Sequence, residues 1–266
     1  MLESIRYVVK EHMSNYRLIL KMAVMDTEKQ TVRSSIGILW TYFHDILYIG
    51  VFIMFRLLIS GNGEIMGMHS SVYLVTGMIS WFFMSDVLNQ GTMTIRNNKG
   101  IIQSIRFPVV ILPTISVVSI FIKRACSLLL AFGVCWGFGY IRFFHPLLFV
   151  YYVFCMFCLM VSVNLVFTAV ITISEDFRQL HISLMRILIY TMPILWDFSR
   201  VKAVWVNVLL RINPMVYVIK GFRDAFVLGM TQDALYTVYF WGVVAALFFL
   251  GSWLQFKLKK YYADFV

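Results

Sequence analysis

Long apolar runs alternate along this chain with short polar, mostly basic, interruptions. A helix crossing the hydrocarbon core of a bilayer needs about 20 mainly apolar residues. Six runs meet or approach that length: 36–59, closed by Gly61-Asn62-Gly63; 72–93; 109–140; 146–173, closed by Glu175-Asp176; 180–196; and 235–256, followed by Lys257, Lys259 and Lys260. At about 1.5 Å per residue the third run exceeds the membrane thickness, so part of it is expected to project or to bend near Pro113. Residues 94–107 are polar and read as a loop or short helix. Residues 197–233 are too apolar for an ordinary loop and too broken to span, with 201–210 and 215–228 on either side of Asn213-Pro214. Two short re-entrant or interfacial helices fit this stretch, a backbone arrangement tolerated only where protein or a wet cavity covers it.

Ahead of the first run, Leu2, Ile5, Val9, Met13, Tyr16, Leu20 and Val24 recur at steps of three or four. Arg6, Lys10, Arg17 and Lys21 each follow an apolar position by one. This is an amphipathic helix. It lies on a membrane surface with its basic stems snorkelling to the headgroups, or it packs on a protein partner; the flanking cations suit the membrane surface better. The predicted fold is an all-α integral membrane protein with six transmembrane helices, an N-terminal amphipathic interfacial helix (1–33), a transmembrane domain (34–258), and a C-terminal tail (259–266). Short re-entrant helices are expected between the fifth and sixth spans.

Composition agrees. Of 266 residues, 61% are hydrophobic, 17% aromatic and 14% charged, and the mean hydropathy is +0.80. Soluble domains are about 45–50% apolar and about 25% charged, so a soluble fold is excluded. The net charge of +10 sits at the ends of apolar runs, where it orients the chain and meets anionic membrane lipid rather than nucleic acid. Basic residues precede the first run, lie between the second and third (Arg96, Lys99, Arg106), follow the fourth (Arg178) and follow the sixth. The opposite side has Arg142 and a scatter within 197–233. The positive-inside bias therefore places both termini in the cytoplasm, and the membrane expected is a bacterial inner membrane. Residues 1–33 lack the continuous apolar core of a signal peptide.

Candidate chemistry is sparse. Cys126, Cys135, Cys155 and Cys158 lie inside apolar runs, and the Cys155/Cys158 pair has no histidine or second pair beside it, so these read as small apolar helix residues rather than a metal or redox site. His12, His44, His69, His145 and His181 are scattered. With no clustered acids and no GxxxxGK[ST] phosphate loop, no catalytic residue and no cofactor is expected in this chain; ATP and Mg would sit on a separate subunit. Asp45, Asp86, Lys123, Arg124 and Arg186 are more telling, because ionisable residues inside spans are costly and face a partner or a watery cavity. Counted from the cytoplasmic ends, these five share one level in the inner half of the bilayer. They either pair with one another to hold helices together or line an entrance that binds an anionic headgroup such as a phosphate, for which Arg has suitable bidentate donors.

Four stretches in order resemble the permease subunits of ABC type-2 exporters, in their polysaccharide and teichoic acid branch. Arg33-Ser34-Ser35-Ile36-Gly37-Ile38-Leu39-Trp40 is similar to the family's opening of the first span. Gly77-Met78-Ile79-Ser80-Trp81-Phe82-Phe83 is similar to its second-span aromatic motif. Asn98 to Pro113 resembles its cytoplasmic loop and the start of the third span. Asn213-Pro214 through Arg223 resembles its segment before the last span. Pro193-Ile194-Leu195-Trp196 and Tyr262-Ala263-Asp264-Phe265 look most like the teichoic acid members. His44-Asp45 and Lys220 depart from residues common in the family, a proline and an acid, and bear on substrate rather than fold.

The resemblance implies a homodimer of permeases joined to two copies of an ABC ATPase. Arg96, Asn97, Asn98, Lys99 and Arg106 would form the coupling loop, and Asn213, Pro214 and Arg223 an outer gate motif. The cargo implied is an undecaprenyl-diphosphate-linked polymer, with Trp81, Phe82, Phe83, Tyr190, Trp196 and Tyr217 as aromatic walls for its sugars or, alternatively, as interfacial anchors. Other readings are a permease for another amphiphile or drug, and a membrane-embedded glycan-lipid transferase with Asp45 or Asp86 as its acid. A passive scaffold fits the intramembrane charges poorly.

Overall fold

The computed structural model describes residues 2–32, 37, 39–60, 64–65, 68–104, 107–140, 144–196, 203–229, 231–259 and 261–262. They form helices α1 (Leu2–Ser14), α2 (Tyr16–Val32), α3 (Leu39–Ser60), α4 (Ser70–Asn89), α5 (Thr94–Asn97), α6 (Lys99–Ser104), α7 (Leu112–Arg124), α8 (Ser127–Gly137), α9 (Pro146–Ile173), α10 (Glu175–Thr191), α11 (Val204–Ile212), α12 (Pro214–Arg223) and α13 (Ala234–Leu258). The one sheet among the described residues is a two-residue hairpin, Glu64–Ile65 with Met68–His69, joining α3 to α4. The stretches 70–103, 109–137, 146–173 and 234–258 are long and apolar enough to cross a membrane. α3, with 22 residues, and α10, with 17, run beside them.

Side-chain contacts give the directions. Tyr48 of α3 meets Phe82 of α4. Phe121 of α7 meets Phe157 of α9, and Phe132 of α8 meets Phe149 of α9, so α7–α8 and α9 are antiparallel. Leu88 of α4 accepts a bond from His181 of α10, while Tyr73 bonds Trp196 just beyond α10; these two are also antiparallel. α9 and α13 are parallel, matching Phe154 with Trp241 and Leu165 with Gly251 and Gln255. One end of the bundle carries the β hairpin, α11 and α12. The other carries α1, α2, α5 and α6.

α4 is the axis: Ser70 to Met84 are all buried. Lipid-soluble helices gain little from burying apolar surface against one another, so close contact and internal hydrogen bonds hold them. Both devices are present. A Cβ on Gly251 would meet the Cβ of Leu165 at 2.7 Å, so the glycine lets α13 lie directly on α9. Asn164 of α9, fully buried, donates to the Pro113 carbonyl at 2.8 Å and to Ser116 Oγ at 3.0 Å, tying α9 to α7.

Three expectations change. The third run breaks at Ala125-Cys126, between α7 and α8, and not at Pro113, which occupies the first turn of α7, where its missing N–H costs nothing. α10 begins five residues before the expected fifth run, and 192–196 turn away from it. The N-terminal helix expected over 1–33 is two helices that meet at Asn15, with the backbone ladder carried through by Asn15 N to Glu11 O and Ile19 N to Asn15 O. Val8, Ile19 and Ala23 of this pair are buried with Ile95, Ile111, Leu112 and Tyr262. The opposite stripe, Val9, Met13, Tyr16, Leu20 and Val24, is exposed. The apolar periodicity read from sequence is therefore the outward face, and a second, smaller-residue face makes the protein contact.

Candidate functional site

The break between α7 and α8 is also where charges meet. Arg124, in the last turn of α7, donates from Nη1 to both oxygens of Asp45 at 2.5–2.6 Å and from Nε to Asp86 at 2.7 Å. Ser127 Oγ, in the first turn of α8, donates to Asp45 at 2.9 Å. Tyr42, one turn before Asp45 on α3, donates its hydroxyl to the Lys123 carbonyl at 2.8 Å. Helix ends leave carbonyls unpaired, and Tyr42 takes one of them. The Arg124 guanidinium also lies 5.4 Å from the centre of the Phe82 ring. Asp45 is fully buried, whereas the side chains of Arg124 and Asp86 are 11% and 15% exposed.

Of the five intramembrane charges, Asp45, Asp86 and Arg124 thus form one node. Lys123 is half-buried and adjacent. Arg186 stands exposed on α10 and is not a partner of either carboxylate. Both carboxylates are engaged by one guanidinium, so neither is poised as a catalytic acid or base. Sequence reasoning missed Tyr42 and Ser127. Each sits three residues from a charged member of the node, the helical spacing that puts side chains on one face.

A second cation is buried at the hairpin end. Arg223, 4% exposed, donates from Nε to the Tyr73 carbonyl at 3.3 Å and from Nη2 to the Ile194 carbonyl at 3.4 Å. Its guanidinium lies 3.5 Å from the centre of the Tyr73 ring. Gly77 makes the room: a Cβ there would fall 2.6 Å from Nη2. Asn213 caps α12 by accepting the Met215 N–H at 3.0 Å, and Pro214 takes the first helical position. Asp224, next to Arg223, accepts from Gln232 and begins a wide π-type turn ending at Gly229, whose positive φ of 61° closes it. α12 packs on α4 and α9. The segment leaves α10 beside Tyr73 and returns to α13 through Tyr217, stacked on Phe240. It therefore starts and finishes at the same end of the bundle.

At the opposite end, α5 packs on α7 and α9, and α6 follows it. Arg96 donates to the Thr172 carbonyl at 3.4 Å. Asn98 donates to the Thr94 carbonyl at 2.8 Å, while Asn97 and Lys99 are exposed. Arg106 lies outside the described residues. Between α2, α5 and α7 opens a cavity of about 510 Å³, lined mostly by polar groups including Asp26, Lys29, Asn89, Gln90, Asn97 and Ser119.

The aromatic candidates divide. Trp81, Phe82, Phe83 and Tyr217 are buried in the core of the chain; Tyr217 further bonds Tyr151 and Thr237. They are packing residues and line no open surface of this chain. Tyr190 is exposed and Trp196 half-buried, with its indole N–H on the Tyr190 carbonyl at 3.1 Å. Exposed aromatics outside the candidate set include Trp40, Phe43 and Phe55 on α3, Trp136 on α8 and Trp205 on α11.

A family model described as ABC-2 type transporter matches residues 20–227. The chain is also 22% identical over 222 residues, 82% of its length and 84% of the relative's, to the O-antigen export system permease protein RfbA of Myxococcus xanthus.

Proposed function

The chain belongs to the ABC-2 type transporter family, and from that premise we propose that it is the permease subunit of an ATP-driven exporter that moves a lipid-linked polysaccharide or teichoic acid across a bacterial inner membrane. The observation carrying the polymer assignment is the similarity to an O-antigen export permease along more than four-fifths of both chains. α3, α4, α7–α8, α9, α10 and α13 run alternately up and down the bundle and supply six crossings. α11 and α12 supply the re-entrant pair. The end bearing α1, α2, α5 and α6 faces the cytoplasm, because Arg6, Lys10, Arg17, Lys21, Lys99 and Lys257 gather there.

In this reading a separate ABC ATPase, two copies to a permease homodimer, grips α5 and α6. The exposed Lys99 and Asn97 beside the polar cavity are the contact surface. The outward stripe Val9–Met13–Tyr16–Leu20–Val24 lies in the interfacial layer. The cargo is an undecaprenyl-diphosphate-linked polymer; Tyr190, Trp196, Trp40 and Phe43 are the aromatics placed to meet its sugars, since ring faces suit the flat apolar faces of pyranoses. The test is reconstitution of the permease with its ATPase in vesicles holding a fluorescent lipid-linked glycan. ATP-dependent movement of the glycan to the far leaflet is the expected result. Movement of a small amphiphilic drug with no movement of glycan would replace the polymer by the other transport reading.

A further inference from the structure

α3 is, with α10, the least enclosed of the long helices. Leu39, Trp40, Phe43, Ile46, Leu47, Val51, Met54, Phe55 and Leu58 are exposed, and among its described side chains Asp45 and Ile49 are the buried ones. Its main packing partner is α4. Its polar attachment is concentrated at one level: Asp45 on Arg124 and Ser127, and Tyr42 on the Lys123 carbonyl. All three receiving groups belong to the break between α7 and α8. Asp86 of α4 holds the same guanidinium from the other side, so Arg124 stays seated whether or not α3 is present.

From this asymmetry we propose that Asp45–Arg124 is a latch that fixes α3 against the α7–α8 break, and that its release lets α3 swing away during transport. A buried ion pair suits the task because it is engaged or broken with little between; moving α3 part-way strands a carboxylate in a low dielectric. Asp86 prevents the same penalty on the cation. The helix break supplies the remaining requirement, a backbone carbonyl acceptor and two side-chain donors at one depth in an otherwise apolar wall. The inference rests on the chain acting as an ATP-driven permease, but not on the identity of its cargo.

The complete transporter, permease with ATPase, is reconstituted with spin labels at Phe55→Cys on α3 and Leu129→Cys on α8, both exposed. Cys126 and Cys158 are replaced by Ser and Ala, and labelled subunits are diluted with unlabelled ones so that only pairs within a chain report. One distance population is expected without nucleotide, and a second, longer one in the ATP-trapped state. Asp45→Asn should show the longer population without nucleotide, and Asp86→Asn should not. A parent-like distance in Asp45→Asn, an equal change in both variants, or no change on ATP trapping overturns the latch. If Asp45→Asn does not assemble, Tyr42→Phe with Ser127→Ala leaves the charges and removes two fastenings. That variant should keep the parent distance without nucleotide; a longer population there would place the fastening in the neutral bonds and overturn the ion-pair latch. Glycan transport is not read in any arm, so failure here is separate from failure of the cargo assignment.

Discussion

Gly77 and Arg223 come from two sequence stretches nearly 150 residues apart, and the structure makes them one unit. Replacing Gly77 by Ala places a methyl 2.6 Å from Nη2 and 3.3 Å from Cζ of Arg223. Ordinary contact begins near 3.4 Å, so the guanidinium must retreat by about 0.8 Å. Its bonds to the Tyr73 and Ile194 carbonyls already stand at 3.3 and 3.4 Å, close to the limit of hydrogen-bond range, and the shift is expected to weaken them. A hydrogen bond to a charged group contributes about 1.5–3 kcal/mol, and a desolvated cation over a ring about 2 kcal/mol. Because the cation keeps part of the ring contact, the expected cost of Gly77→Ala is about 2–4 kcal/mol.

Arg223→Lys keeps the charge and loses the planar fork, and with it one charged hydrogen bond, at a cost of about 2 kcal/mol. A lysine also vacates the volume the new methyl needs. The double variant should therefore be more stable than the sum of the singles predicts, by about 1–2 kcal/mol. Unfolding in mixed micelles, followed by tryptophan fluorescence, measures all four corners of the cycle. Additivity within about 0.5 kcal/mol would refute the claim that Gly77 exists for Arg223.

Asn164→Leu should cost about 1–3 kcal/mol in the same assay, because it removes the two buried bonds, to the Pro113 carbonyl and to Ser116 Oγ, that tie α9 to α7; a neutral result would mean that α7 and α9 do not depend on those bonds. Lys99→Glu should reduce copurification of the ATPase several-fold without changing the melting temperature of the permease, since Lys99 is exposed, whereas Arg96→Glu should also lower stability through Thr172; full copurification of Lys99→Glu would remove α6 from the contact surface. His12 bonds the Val8 carbonyl and Thr114, and burial lowers its pKa below 6.5. Its unfolded form takes up a proton first as pH falls, so stability from this site is complete above about pH 6.5 and declines below it. Amide exchange in α1, corrected for intrinsic rates, should accelerate between about pH 7.5 and 5.5, and His12→Phe should abolish the dependence.

The long helices were legible because a bilayer imposes one length and one polarity on every crossing, and 146–173 matches α9 to the residue. The break in the third run was misplaced for a physical reason. Proline is the sequence's visible breaker, but in the first turn of a helix it is harmless, while the true break at Ala125-Cys126 has no proline or glycine. What marks it is charge: Lys123-Arg124 lies within an apolar run, and a cation that must reach Asp45 and Asp86 sits most easily where the helix ends. The charges and the break are thus one feature, and the cost of an intramembrane arginine should have been read as a boundary.

The aromatic stretch misled in the opposite way. Trp81-Phe82-Phe83 has no period, and an aperiodic aromatic run suits a wall open to substrate or a helix enclosed on every side. α4 is the enclosed case, and only knowing which helix sits in the centre decides it. Burial all round α4 also explains why the node forms where it does. With its flanks covered by α3, α8, α10 and α12, the carboxylate on its last turns is met by Gln90 at its own C-cap, at 3.3 Å, and by the charged Arg124 at the end of α7, at 2.7 Å. The same guanidinium then has donors left for Asp45, so the position of α3 follows from a charge that α4 could not leave unpaired.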